Sequence, residues 1–220
     1  SLTCGVFLSC LLMLDLGHAS RYKARKCGVS ANEADASDAV PAAAERRMVS
    51  RVIPVDDFDL VIFGGTGDLA RRKILPGLFR RFLGGQMPEI ARIIGAARSE
   101  MDNAGFRALV AEAIAEFGGP EAKEEAAIAR FLERLHYVAI DAKGDGGWND
   151  LGALMRDGVV RAFYFSVAPA LFGDLAERLH KHGITNAESR VVVEKPFGRD
   201  LASAKALNTT LARHFDEKQI

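Results

Sequence analysis

Three short segments put residues capable of chemistry at the ends of apolar runs. The first is Gly64-Gly65-Thr66-Gly67-Asp68-Leu69-Ala70, a G-x-x-G-x-x-A turn between an apolar run and an amphipathic stretch. A helix that starts from such a turn leaves its first N–H groups unpaired and aims the positive end of its dipole at one point, which suits a phosphate. Gly64 permits the tight turn, Gly67 lets a pyrophosphate rest against bare backbone, and Ala70 lets the helix pack close to the strand. An ordinary turn would use glycine too; the apolar run before it and the helical spacing after it are what favour a dinucleotide.

The second segment ends in Arg98, just beyond the next apolar run. A carboxylate at that place would hold the ribose 2′-hydroxyl of NAD. The planar donor fork of arginine suits the oxygens of a 2′-phosphate instead, so the position points to NADP. Residue type alone would make Arg98 a solvated surface cation, and Glu100 two residues on weighs against the phosphate. Arg71, Arg72, Lys73, Arg80 and Arg81 form a basic face beside the glycine turn, from which Lys73 is expected to reach a substrate. The third segment, Glu194-Lys195-Pro196-Phe197-Gly198, closes a further apolar run. Lys195 could hold an anionic substrate or a reacting hydroxyl; a strand-end lysine before a proline stop fits the residues equally well.

These segments need elements to carry them. Phe58 to Phe63 has the form of a strand buried on both faces, and Asp68 to Leu83 shows helical spacing through Leu69, Ile74, Leu78 and Phe82. Further strands are predicted at Arg92–Ala97, His136–Ile140, Ala162–Val167 and Arg190–Glu194. Between and after them, helices are predicted at Asp102–Phe117, Glu121–Arg134, Trp148–Arg156, Leu171–His182 and Leu201–Phe215. Alternation of this kind requires right-handed crossovers and gives an α/β fold, a doubly wound parallel sheet of Rossmann type. Its carboxyl edge is where all three chemical segments emerge and where ligands bind in open sheets.

Composition limits the partners. The 29 basic and 29 acidic side chains cancel, so no net field draws the molecule to nucleic acid or to an acidic membrane. No run of 18 apolar residues is present to span a bilayer as a helix. Cys4, Cys10 and Cys27 all precede residue 30, form no C-x-x-C pair and suggest no metal site, while the thiol-free remainder suits a reducing cytoplasm. Val6 to Leu16 imitates the apolar part of an export signal, but Asp15 interrupts it and Arg21, Lys23, Arg25 and Lys26 follow it instead of preceding it. Residues 1–54 are expected to be a disordered leader or extension, with Met48 the suspected natural start, and residues 55–220 the nucleotide-binding domain.

FGGTGDLARRKILPGLF, GAARS, FYFSVAP and VVVEKPFGRDLASA, in that order and at those separations, resemble the glucose-6-phosphate dehydrogenase family over roughly residues 58–220. The resemblance implies an oxidoreductase that uses NADP to oxidise glucose 6-phosphate to 6-phosphogluconolactone, the first step of the pentose phosphate pathway, and that is homo-oligomeric at full length. It implies that Gly64 to Arg71 cradle the coenzyme, Arg98 meets the 2′-phosphate, Ser166 to Pro169 pass near the nicotinamide, and Asp141 and Ala142 line the adenosine side. Lys195 would touch coenzyme and sugar, and Lys73 the sugar phosphate. The family's general base is a histidine in a segment of the form RIDHYLGKE, which is not found before Ile220; His18, His136, His180, His182 and His214 lack its flanking residues. The chain on its own is therefore expected to carry no catalytic residue and to turn over negligibly. The alternative is a non-catalytic NADP-binding module.

Overall fold

The computed structural model describes residues 55–193 and 201–220. The leader at 1–54 and the Glu194 to Gly198 segment, Lys195 included, lie outside the described residues. Five parallel strands alternate with helices: β1 (Phe58–Phe63), β2 (Arg92–Ala97), β3 (Leu135–Ala139), β4 (Val160–Phe165) and β5 (Arg190–Val193). Their order in the sheet is β3-β2-β1-β4-β5. Starting from β1, the chain winds one way through β2 and β3, then returns to the other side of β1 for β4 and β5. Loops from the two windings part between β1 and β4, which opens a crevice at the carboxyl edge of the sheet.

The alternation of side chains along β1 builds two cores. Phe58, Leu60 and Ile62 face α1 (Leu75–Leu83), α2 (Asn103–Phe117) and α3 (Glu125–Leu132) through Phe79, Phe106 and Phe131. Val61 and Phe63 face α4 (Trp148–Leu154) and α5 (Phe172–Lys181) through Trp148 and Leu175. The last helix, α6 (Leu201–Leu211), joins the second core through Leu211. Both faces of the sheet are thus removed from water, as a parallel sheet requires.

Several element ends differ from the sequence reading, each for a local reason. The helix that starts at Asp68 passes through a π turn, Ala70–Ile74, in which the Leu75 N–H bonds the Ala70 carbonyl. Pro76 follows at once; it has no N–H to donate and its ring would crowd the carbonyl four residues back, so the wider register accommodates it. The predicted helix over 121–134 is split into a 3-10 turn, Gly119–Lys123, and α3, because Gly119 takes a positive φ of 79° and Glu124 leaves helical geometry with ψ 77°. The helix from Trp148 stops at Leu154 instead of Arg156. Met155 turns extended, and the Arg156 N–H leaves the helix to donate to the Asp59 carboxylate at 2.8 Å.

Asp59 is a charge inside a strand otherwise made of bulky apolar residues, and it is fully buried. Arg156 answers it with Nε at 2.8 Å and Nη2 at 2.6 Å, while Nη2 also donates to the Phe58 carbonyl at 3.0 Å. The pair ties the start of β1 to the loop entering β4, at the edge opposite the crevice. His136 lies close by on β3. Burial, then Arg92 and Arg107, hold its imidazole below the ordinary value; Asp59 works against this and Arg156 with it.

Arg156→Ala is expected to cost about 3–5 kcal/mol, because it strands a buried carboxylate, while Asp59→Asn should cost less, since partly exposed Arg156 can turn to water. Chemical denaturation of both variants checks the order; equal losses would contradict it. Because the folded chain protonates His136 less readily than the unfolded chain, its contribution is intact above the ordinary imidazole value of 6.5 and is lost as the pH falls from there toward the folded value. Melting at stepped pH should show His136→Gln losing less stability on acidification than the parent.

Candidate coenzyme site

The glycine turn after β1 is fixed by the strands on either side of it. Gly64 adopts φ +83°, and a side chain there would overlap the carbonyl oxygen of Ser166 at the end of β4. Its N–H donates to the Ala96 carbonyl of β2 at 2.7 Å. Gly65 lies against the other neighbour: a Cβ on it would stand 2.8 Å from the Gly95 Cα. Gly95 in turn has no room for a side chain, because the Phe106 ring from α2 fills that place. Gly67 is different. A Cβ on it would meet only the Gly64 carbonyl oxygen, at 3.1 Å, and its N–H already closes the turn onto that oxygen at 2.8 Å.

Above this turn the loops after β1, β2, β3 and β4 enclose a cleft of about 770 Å³. Eight of the residues predicted from sequence line it together: Gly64, Thr66, Gly67, Arg98, Asp141, Ala142, Val167 and Ala168. Gly65 and Ala70 are buried beneath it, Ala70 with no exposure at all, so their part is to hold the turn and the helix close to the sheet. Leu69 packs against the first core. Asp68 is exposed and stands 3.7 Å from Arg72, whose guanidinium lies over the Phe117 ring, which accounts for Arg72 without a ligand. Lys73 is exposed on the helix, outside the cleft wall, and Arg71 is half-buried with its Nε enclosed and unpartnered among the described residues.

The sequence reading passed over Lys143 and Ser99, which also line the cleft. Lys143 is held at both backbone ends: its N–H donates to Asp141 at 3.1 Å, and its carbonyl accepts from Arg178 Nη2 at 2.7 Å, with Arg178 itself paired to Asp145. The hydrogen bond Arg178 donates to Asp145, then the Arg178 and Lys181 charges, hold the exposed Asp145 carboxyl below its usual range. Only its place one residue beyond Asp141 and Ala142 could have marked Lys143 in advance. A dinucleotide fits the donor set of this cleft. It offers a turn bare at Gly64 and Gly67 just before a helix start, the cations Arg98 and Lys143 above it, and apolar walls from Phe63, Val167 and Leu171.

The family model described as "Glucose-6-phosphate dehydrogenase, NAD binding domain" matches residues 61–220. The chain belongs to the glucose-6-phosphate dehydrogenase family. It is 46% identical over 175 residues to glucose-6-phosphate 1-dehydrogenase of Rhizobium meliloti (strain 1021), covering 79% of this chain and 36% of that protein. With the enzyme of Mycolicibacterium smegmatis it shares 43% over 173 residues, 76% of this chain and 35% of the relative. The crystal structure of glucose-6-phosphate 1-dehydrogenase from Mycobacterium avium superposes with a TM-score of 0.68 at 34% identity, covering 75% of this chain and 35% of that one. A glucose-6-phosphate dehydrogenase in complex with its substrate glucose-6-phosphate gives 0.65 at 31% identity, with 74% and 35% covered. The chain thus spans about a third of the relatives it matches, the third that forms a nicotinamide-coenzyme domain. Among the described residues no helix is long and apolar enough to cross a membrane.

The two glycines should separate on substitution. Gly64→Ala is expected to destabilise the fold by about 2–4 kcal/mol through a strained φ and a backbone clash. Gly67→Ala should cost the fold under about 1 kcal/mol yet weaken coenzyme binding about tenfold or more, because the methyl group would stand where a phosphate resting on the turn would approach. Thermal melts paired with coenzyme titration check both, and intact binding by Gly67→Ala would remove the cradle.

Proposed function

We propose that this chain binds NADP and belongs to a protein that oxidises glucose 6-phosphate at C1 to 6-phosphogluconolactone. The observation that carries the reading is Arg98, a cation on the wall of the cleft directly beyond β2, one residue past the last one paired with β3. A 2′-phosphate on the ribose would sit at that strand end, where an NAD site keeps a carboxylate. Gly64 to Arg71 form the pyrophosphate cradle in this reading, with Asp141 and Ala142 along the adenosine. Ser166 to Pro169, which lead away from β4 over the same cleft, border the nicotinamide. The nicotinamide, when bound, accepts the hydride from the sugar. Lys73 and Lys195 hold the sugar phosphate and hydroxyl, and residues 55–220 act as one coenzyme-binding domain. Support comes from the family match and from relatives named as glucose-6-phosphate 1-dehydrogenases.

Arg98→Ala removes charge-assisted hydrogen bonds worth about 1.5–3 kcal/mol. NADP should therefore bind about 10- to 100-fold more weakly to the variant, with NAD changed by less than about twofold. Parallel titrations with the two coenzymes decide it. An equal loss for both would show that Arg98 does not read the 2′-phosphate.

A further inference from the structure

Arg98 is exposed, and one buried hydroxyl addresses the peptide groups on both sides of it. The Tyr137 hydroxyl, reaching over from β3, donates to the Ser99 carbonyl at 2.6 Å and lies 3.3 Å from the Ala97 carbonyl. Tyr137 is only 7% exposed and cannot wander. Its ring packs on Phe106 with centroids 5.2 Å apart, and its own N–H is held by the Asn103 side-chain oxygen at 2.7 Å. Phe106 in turn occupies the space that Gly95 leaves open. A chain of contacts from α2 through β3 therefore ends on the backbone that presents Arg98.

The need for such an anchor is visible in what surrounds the arginine. Arg98 lines both the coenzyme cleft and a second recess of about 660 Å³, in which Glu100, Asp141 and Asp150 are also exposed. Glu100 and Asp150 lie on that side only, while Asp141 lines both recesses, so a long side chain on an unanchored backbone would be drawn toward the second recess by carboxylates the cleft lacks. We propose that Tyr137 is the positioning residue for Arg98, and that its hydroxyl sets the preference for a 2′-phosphorylated coenzyme by fixing the Ala97 to Ser99 backbone so that the guanidinium is kept over the cleft. This rests on the reading of Arg98 as the 2′-phosphate ligand. It assigns a share of coenzyme choice to a residue that touches no coenzyme.

Tyr137→Phe keeps the ring and removes only the hydroxyl. NADP affinity of the full chain should fall about threefold to tenfold while NAD affinity stays within about twofold. In an Arg98→Ala background the same change should have no further effect on NADP, because the side chain being positioned is gone. A Tyr137→Phe variant that binds both coenzymes as the parent does, or weakens both equally, overturns the proposal; in the second case the hydroxyl supports only the fold. If Arg98→Ala leaves NADP binding untouched, the reading of Arg98 fails and the proposal with it. If Arg98→Ala is selective and Tyr137→Phe is silent, the proposal alone fails.

Discussion

The structure depends on how closely three strands approach one another at the end of β1. Gly64 lies against the Ser166 carbonyl of β4, and Gly65 against the Cα of Gly95 in β2, so neither can carry a side chain without parting the sheet. This contact forces the chain to turn sharply and start its helix beside the strand, and it leaves the helix start bare toward the crevice. The same approach draws Arg98 and Asp141 to one cleft, since both leave strands on the β2 side of the turn. Binding geometry is here a consequence of packing between backbones, and the unpaired N–H groups of the helix start are its chemical product.

The opposite edge of the sheet is secured by charge. Asp59 and Arg156 join the start of β1 to the entry of β4, across the position where the two windings of the chain separate. A buried ion pair below and a glycine contact above thus join the same two strands, β1 and β4. The pairing of Phe58 with Val160 through Phe63 with Phe165 runs between these two fixtures.

The parts legible in the sequence were those encoded by local patterns. Short apolar runs between stretches of helical spacing located the five strands to within about two residues, and the G-x-x-G-x-x-A turn located the cleft because its chemistry is carried by neighbours in the chain. Gly65 and Ala70 are buried beneath the cleft, so the structure adds a packing role to the binding role read for them, since an absent side chain serves a ligand and a close contact equally well. The π turn at Ala70–Ile74 follows from one proline and was hidden by continuous helical spacing. The partner of Asp59 lies 97 residues away, beyond any local pattern. Tyr137 and Lys143 are brought near Arg98 because β3 lies next to β2, and strand order is set by the whole chain.

Family membership and cleft geometry meet in a single claim: a dinucleotide lies with its diphosphate on the bare turn and its phosphorylated ribose beside a guanidinium. A crystal structure of the chain with NADP tests this most directly. The account predicts the pyrophosphate within hydrogen-bond distance of the N–H groups at the start of the helix after Gly67, and the 2′-phosphate within reach of Arg98. Coenzyme density elsewhere on the molecule, or a 2′-phosphate turned away from Arg98 into solvent, would contradict it.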